Sequence, residues 1–383
     1  MTARDRAQFV PELEVPVSAP VITDAAKRYV SDAMESGWVS SGGPAVGRFE
    51  EAFARYLGVR HAVTTSSGTT ALHLALASLG IGPGDEVIVP DFTMLSPVSA
   101  VLYTGAHPVL VDCEPATFNI DVGRVAEVIG PRTRAVVAVH LYGHSADMDP
   151  LLELAADARI PVIEDAAEAH GASYKGRKCG AMGKVGCFSF YGNKIVTSGE
   201  GGMLVTDDAV VAERARKLRN MAHSDAQRFV HDDLGFSYRM SNLQAACGLG
   251  QLEGIDDFLA HRQWMAAEYA RRLSAHRELR LPVTKPGCVN VHWMFAVLLA
   301  REGAPSRDRF RAELRARGVE TRSFFASAAS QPVVRSRAGN QGPFPVSEDA
   351  SARGLYLPSG LALTPAQLQY VCDAIADVLA SVS

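Results

Sequence analysis

The sequence predicts an α/β fold: a large domain on a mainly parallel, seven-stranded sheet, followed by a smaller C-terminal α+β domain. Three observations carry this. Seven short β-branched runs alternate with helical stretches between residues 61 and 206, the pattern of a sheet covered on both faces. Beyond residue 206 helical periodicity dominates and strands become few and short. The 383 residues suffice for more than one domain at roughly 150 residues each. The organisation expected is an N-terminal arm (1–24), a large domain (25–255) and a small domain (256–383).

In chain order, the run HAVTT (61–65) precedes a helix over 69–79, and EVIVPD (86–91) precedes a helical stretch over 97–103. HPVLVD (107–112), RAVVAVH (134–140) and PVIED (161–165) continue the rhythm, followed by GCFSFY (186–191) and GMLVT (202–206). The last two runs lie too close together for a helical crossover, so one of them is expected to be antiparallel. Helices are predicted over 209–219, 242–251 and 254–275, the last leading out of the large domain. The C-terminal third shows strands at 294–299 and 319–322 between helices 307–317 and 364–380. Residues 327–346, rich in Ser, Pro, Gly and Arg, read as a long loop of the kind that is often functional.

Composition narrows the function classes. Apolar residues at 47% and charged residues at 21% exclude a disordered tail, a collagen-like repeat and a disulfide miniprotein. A net charge of −4 lacks the basic excess of a nucleic-acid binder. No apolar run approaches the roughly 20 residues of a membrane span. Residues 1–10 carry charge without an apolar stretch, so no secretory signal is read there and a cytoplasmic location is expected. Six cysteines are scattered without a C-x-x-C pair, which leaves no zinc or redox motif and reads as reduced thiols.

Four local signals carry chemistry. Thr65-Ser66-Ser67-Gly68-Thr69-Thr70 sits between a strand and a helix, where hydroxyls and free N–H groups can cradle a phosphate; an ordinary N-cap explains the same residues. Glu164-Asp165 ends a strand run, placing a carboxylate where open α/β sheets bind ligands, or merely capping a turn. Lys194 follows the strand Phe188-Ser189-Phe190-Tyr191 and a Gly-Asn turn. A lone lysine is usually a solvated charge, but one walled by apolar groups becomes a nucleophile toward carbonyls. Ser198-Gly199-Glu200-Gly201-Gly202 gives tight backbone passage beside it, or a flexible turn. No G-K-[ST] phosphate loop and no G-x-G-x-x-G after a strand occur, so neither a nucleotide P-loop nor a Rossmann site is supported. A phosphate cradle, a strand-end aspartate and a downstream lysine are together what pyridoxal 5′-phosphate (PLP) requires: an anchor for its phosphate, a carboxylate for its pyridine nitrogen and an amine for its aldehyde.

These residues are familiar as a set. The segments Trp38–Pro44 (WVSSGGP), 67–72 (SGTTAL), 82–87 (GPGDEV), 139–143 (VHLYG), 164–171 (EDAAEAHG), 189–194 (SFYGNK) and 238–246 (YRMSNLQAA) resemble the DegT/DnrJ-type nucleotide-sugar aminotransferases of PLP fold type I, the aspartate-aminotransferase-like fold. Glu168 in D-A-A-E-A is most similar to their GDP-perosamine synthase branch. The resemblance implies Lys194 as the residue that holds the cofactor aldehyde and moves the proton, and Asp165 as partner of the pyridine nitrogen. It implies Glu168 near the ring 3-oxygen, and Ser67, Gly68, Thr69 and Ser189 around the phosphate. Asn242 would reach the phosphate from a second subunit of a homodimer. The implied reaction takes the amine of L-glutamate, leaving 2-oxoglutarate and the pyridoxamine form (PMP), and places it on a ketone of a nucleotide-linked deoxysugar, at C4, such as GDP-4-keto-6-deoxymannose. A keto-cyclitol or a 3-keto sugar of antibiotic biosynthesis is the alternative acceptor. PLP-dependent sugar dehydration is disfavoured because Lys194 stands where such relatives carry His. A non-catalytic sensor need not keep Lys194, Asp165 and Ser189 together.

The chain departs from the family pattern in two places. Met94 stands where relatives place an aromatic ring over the cofactor; a thioether packs on a ring face less rigidly, and Phe92 could substitute after a loop shift. The substrate-contacting R-P-x-F-x-P-x-H stretch reads RSFFASAA at 322–329, keeping Arg322 but neither proline nor the histidine. Among other candidates, His140 ends a strand and fits a cofactor-facing and a merely satisfied histidine equally. His223 and His231, with Arg228 and Arg239, could clamp a diphosphate or form a solvated loop. Trp38 and Arg322 are further candidate substrate contacts, whereas Trp264, Met265 and Trp293 read as core.

Overall fold

The computed structural model describes residues 14–224, 226–227 and 229–381. The seven apolar runs form one sheet: β1 (His61–Thr65), β2 (Glu86–Pro90), β3 (His107–Val111), β4 (Thr133–Val139), β5 (Val162–Asp165), then β8 (Val185–Ser189) and β9 (Gly202–Thr206) after a small hairpin of β6 (Ser173–Tyr174) and β7 (Arg177–Lys178). Their spatial order is β1-β9-β8-β5-β4-β2-β3. Strand β9 runs antiparallel to both β1 and β8, and the remaining pairs are parallel. The short link between β8 and β9 has that consequence, because a helical crossover does not fit it.

Period-two alternation decides which side of the sheet each residue faces. Val87, Val89, Ala135, Val137 and Ile163 enter the larger core, while Ile88, Val136, Ala138 and Val162 enter the core on the opposite side. Helices cover both faces, and their starts are written locally. Ser67 with Thr70 closes a capping box on Gly68–Ser78, Ser241 with Gln244 on Asn242–Leu252, and Thr364 with Gln367 on Pro365–Ala380. Each box satisfies N–H groups that the first helical turn leaves open. Pro44 starts Pro44–Leu57, and Gly58 ends it in the left-handed region (φ 79°) that favours glycine.

The helix Ile255–Leu273 leads to a four-stranded antiparallel sheet, ordered β10 (Leu279–Arg280), β12 (Phe295–Leu299), β14 (Gly354–Leu357), β13 (Arg322–Ser323). Its core includes Phe295, Phe310, Leu355 and Ile375. The strand β11 (Cys288–Val289) pairs instead with β6. Two expectations are corrected here. The strand read at 319–322 starts only at Arg322, because Val319 forms a parallel bridge with Val15 of the N-terminal segment. The segment 327–346 is not a loop throughout: it holds a 3-10 turn Ala328–Ser330, a helix Pro332–Ala338 and the start of Pro345–Arg353. Pro332 and Pro345 occupy first-turn positions, where a missing N–H costs nothing, so a proline-rich composition conceals two helix starts. Among the described residues, no helix is long and apolar enough to cross a membrane.

Candidate active site

A cavity of about 320 Å³ opens at the C-terminal ends of β1, β5 and β8. That is the end at which an α/β sheet presents strand-terminal side chains to a ligand. It gathers Ser67, Gly68, Thr69, Met94, Asp165, Glu168, Ser189, Lys194 and Arg322 from the sequence-predicted set.

The phosphate end is built by the helix Gly68–Ser78. Ser67 Oγ accepts the Thr70 N–H, while the N–H groups of Gly68 and Thr69 have no acceptor among the described residues. Two open donors at a helix N-terminus form an anion site. Ser189, ending β8, brings its hydroxyl alongside. A Cβ on Gly68 would stand 2.8 Å from Ser189 Cβ, so this close approach requires glycine. Thr69 Oγ1 is hydrogen-bonded to Ser96 Oγ at 2.9 Å, which fixes the wall beside Met94.

The reactive end is more deeply buried. Lys194 Nζ lies 3.6 Å from Glu168 Oε1 and 3.8 Å above the centre of the Trp293 ring. Burial holds the lysine amine below its ordinary range, against the pull of Glu168 and Asp165. Burial raises Glu168 to about 7, opposed by Lys194 and by the Tyr142 N–H that donates to its Oε2 at 2.8 Å. Asp165 is raised by burial, and one of its oxygens accepts the Ala167 N–H at 3.1 Å. An anion-binding helix start, a buried carboxylate and a desolvated amine in one cavity fit a phosphorylated pyridine aldehyde: the open N–H pair for the phosphate, Asp165 for the ring nitrogen, Lys194 for the aldehyde.

The neighbouring Glu164 is separated from this chemistry. It points to the other side of β5 and accepts the N–H groups of Gly180, Met182 and Gly183. His140 joins it, with Nε2 2.8 Å from Glu164 Oε2. Its Nδ1 accepts the Ala146 N–H at 3.1 Å, which requires a lone pair on that nitrogen and places the proton on Nε2. His140 is therefore a satisfied strand-end histidine, not a cavity-lining one. Phe92 is likewise corrected: it is buried among Phe118, Tyr142 and Phe324, leaving Met94 on the cavity wall.

Asn242 is absent from the cavity lining. Its carboxamide donates to Trp38 O at 2.6 Å and accepts the Ala45 N–H at 2.8 Å, clamping residues 38–45. Trp38 is itself exposed. Arg239 is half-buried and donates to Asn220 Oδ1 and Ser237 Oγ. His231 Nδ1 is 2.7 Å from Met221 O, with its ring 4.4 Å from that of His223. Neither Arg239 nor His231 lines the cavity, and Arg228 lies outside the described residues.

Sequence reasoning missed Thr93, Ser96, Tyr191, Trp293, Phe325 and Tyr356 as lining residues. Phe325 stood in the segment with Arg322. Trp293 and Tyr356 sit in apolar stretches that carry no local signal beyond that of core.

Behind the lysine, His170 packs among Phe53, Phe188 and Phe190, and neither of its nitrogens has a partner among the described residues. Burial, reinforced by Lys194, holds it down to about 3. The unfolded chain then binds a proton below about pH 6.5 that the folded chain refuses, so stability falls as pH drops from 6.5 toward 3. The His170→Phe variant is expected to lack this loss, a difference of about 2 kcal/mol between pH 7 and pH 5. Urea unfolding at the two pH values checks it, and parallel pH slopes for wild type and variant would refute it.

Comparison with known proteins places this geometry. Residues 20–376 match the DegT/DnrJ/EryC1/StrS aminotransferase family. The chain is 43% identical over 369 residues to the GDP-perosamine synthase of Caulobacter vibrioides, covering 95% of this chain and 98% of that one. It is 38% identical over 377 residues to the dTDP-3-amino-3,4,6-trideoxy-alpha-D-glucose transaminase of Streptomyces venezuelae, covering 98% and 97%. The crystal structure of the aminotransferase TlmJ from Streptoalloteichus hindustanus superposes with a TM-score of 0.90 at 33% identity, over 96% of this chain and 99% of that one. With these similarities spanning nearly the whole chain, the protein belongs to the DegT/DnrJ/EryC1/StrS family and is a PLP-dependent aminotransferase of fold type I.

Proposed function

We propose that the protein moves the amine of L-glutamate onto the C4 ketone of a nucleotide-linked deoxysugar such as GDP-4-keto-6-deoxymannose. The observation that carries this reading is the near full-length identity to a GDP-perosamine synthase, together with Glu168 standing against Lys194. PLP, when bound, supplies an electron sink for the carbon that bears the amine. Gly68 and Thr69 N–H and Ser189 Oγ bind its phosphate. Asp165 holds a proton at the ring nitrogen. Lys194 Nζ takes the proton from the donor's Cα and later returns one to the acceptor carbon. Arg322, Phe325 and Tyr356 form the wall that the acceptor would meet.

The working unit in this reading is a cytoplasmic homodimer. Trp38, Val39 and Tyr191 are large apolar side chains exposed on the single chain, and burying such surface favours association. Asn242 is buried with its carboxamide spent on Trp38 and Ala45, so in that dimer its part would be to hold residues 38–45 against the partner rather than to reach the partner's cofactor phosphate itself. A second acceptor, a 3-keto sugar, is favoured by the departure at 322–329 and by the transaminase of Streptomyces venezuelae among the relatives.

Visible absorbance of the purified protein with PLP tests the reading. L-Glutamate is expected to abolish the yellow band, and GDP-4-keto-6-deoxymannose to restore it. Restoration by a dTDP-linked 3-keto sugar or a keto-cyclitol alone would replace the acceptor. A band indifferent to glutamate would refute the donor.

A further inference from the structure

We propose that Trp293 is a positioning residue for Lys194, fixing both the amine and the backbone that carries it. The inference rests on Lys194 being the cofactor-bearing lysine and deepens that reading. Trp293 precedes β12 and is 3% exposed. Its indole meets the lysine at two points. The ring face lies 3.8 Å beneath Nζ, within cation–π range. The indole N–H donates to the carbonyl of Asn193, the residue before the lysine, at 2.8 Å. One side chain from beyond the Ile255–Leu273 helix thus grips the turn that carries Lys194 and the amine at its end.

Trp293 is itself held from behind. Its carbonyl accepts Nη1 of Arg262 at 3.1 Å. Arg262 is buried on the Ile255–Leu273 helix and has no acidic partner among the described residues. Burying a guanidinium against a single carbonyl is costly, and that hydrogen bond ties the Trp293 backbone to the helix. The indole also stacks on Tyr142, with ring centres 6.4 Å apart and planes 18° from parallel. The ring therefore cannot swing away from the amine without breaking contacts on both sides.

The electrostatic consequence is specific. A π face attracts the ammonium form, whereas a dry cavity disfavours it. The amine is faced by Asp165 and Glu168 at and after β5, by His170 behind them, and by the Trp293 ring; Glu200 and Arg322 line the same cavity. Exchanging the indole for an aliphatic group of lower polarisability withdraws one attraction and leaves the others in place.

The test uses PLP-free protein. The rate at which acetic anhydride acylates Lys194 is followed against pH by peptide mass spectrometry, in wild type, Trp293→Leu and Trp293→Phe. The midpoint for Trp293→Leu is expected about 0.5–1 pH unit below wild type, the size of a lost cation–π contact. Trp293→Phe keeps a weaker ring and is expected to move less in the same direction, which preserves the test should the Leu variant not fold. Coincident midpoints overturn the proposal, as does an upward shift, the sign of water entering in place of the ring. Wild-type protein that fails to turn yellow with PLP would refute the reading of Lys194 itself. Wild type that turns yellow with midpoints that coincide refutes only the role of Trp293.

Discussion

Replacing Lys194 by Ala is expected to lower transamination by roughly 10⁴-fold or more, because in the proposed mechanism this one group supplies both the attachment of the cofactor and the proton transfer. The fold should survive. Among the described residues the Lys194 amine anchors no buried hydrogen-bond network: it meets Glu168 at 3.6 Å and the Trp293 ring face, and the backbone N–H to Tyr191 O is kept by alanine. Removing the cation takes away the attraction that holds Glu168 down, so this carboxyl rises further above its ordinary range and stays neutral rather than becoming a stranded charge. Far-UV circular dichroism and the urea midpoint should therefore match wild type closely, while single-turnover amine transfer from glutamate disappears. An alanine variant that turns over at the wild-type rate would overturn the chemistry assigned to this cavity.

What could be read from the sequence was local. The strands of the large sheet are runs of β-branched residues with period two, and each core receives alternate members of β2 and β4. The cavity residues Ser67–Thr69, Asp165, Ser189 and Lys194 sit at strand ends or just beyond them, where a strand visibly gives way to a helix start or a turn. What remained hidden depends on distant parts of the chain. Trp293 and Tyr356 enter the cavity only because distant parts of the chain bring them to the lining shared with Asp165 and Ser189, and nothing near them in sequence distinguishes a ring that faces a ligand from one that faces core. His140 was ambiguous for the converse reason: its decisive partners, Glu164 and Ala146, arrive from a neighbouring strand and a turn. The helices inside 327–346 were obscured because proline signals both a loop and a first helical turn, and Gly339 both a flexible link and the end of Pro332–Ala338.

The second large effect belongs to Asp165. Asn in its place keeps the size and can still accept the Ala167 N–H that Oδ1 now takes at 3.1 Å, so β5 and the turn after it should be unaltered. Only the charge is lost, and the charge is what matters. Burial disfavours the ionised carboxylate in the PLP-free protein. A protonated ring nitrogen beside it would reverse that preference, since an opposite charge at hydrogen-bond distance in a dry site outweighs part of the desolvation. Each stabilises the other, and an amide offers no such exchange. Turnover of Asp165→Asn is expected to fall about 10²–10³-fold, the scale for losing one preorganised electrostatic partner. Cofactor retention should fall far less, because the N–H pair of Gly68 and Thr69 and the Ser189 hydroxyl are untouched. Stopped-flow absorbance separates the two: the variant should bind PLP and show its band, yet lose that band to glutamate hundreds of times more slowly. If Asn supports the half-reaction within a few-fold of wild type, the ring nitrogen does not lean on Asp165. The cavity would then have to stabilise the reacting carbon by some group other than this carboxylate.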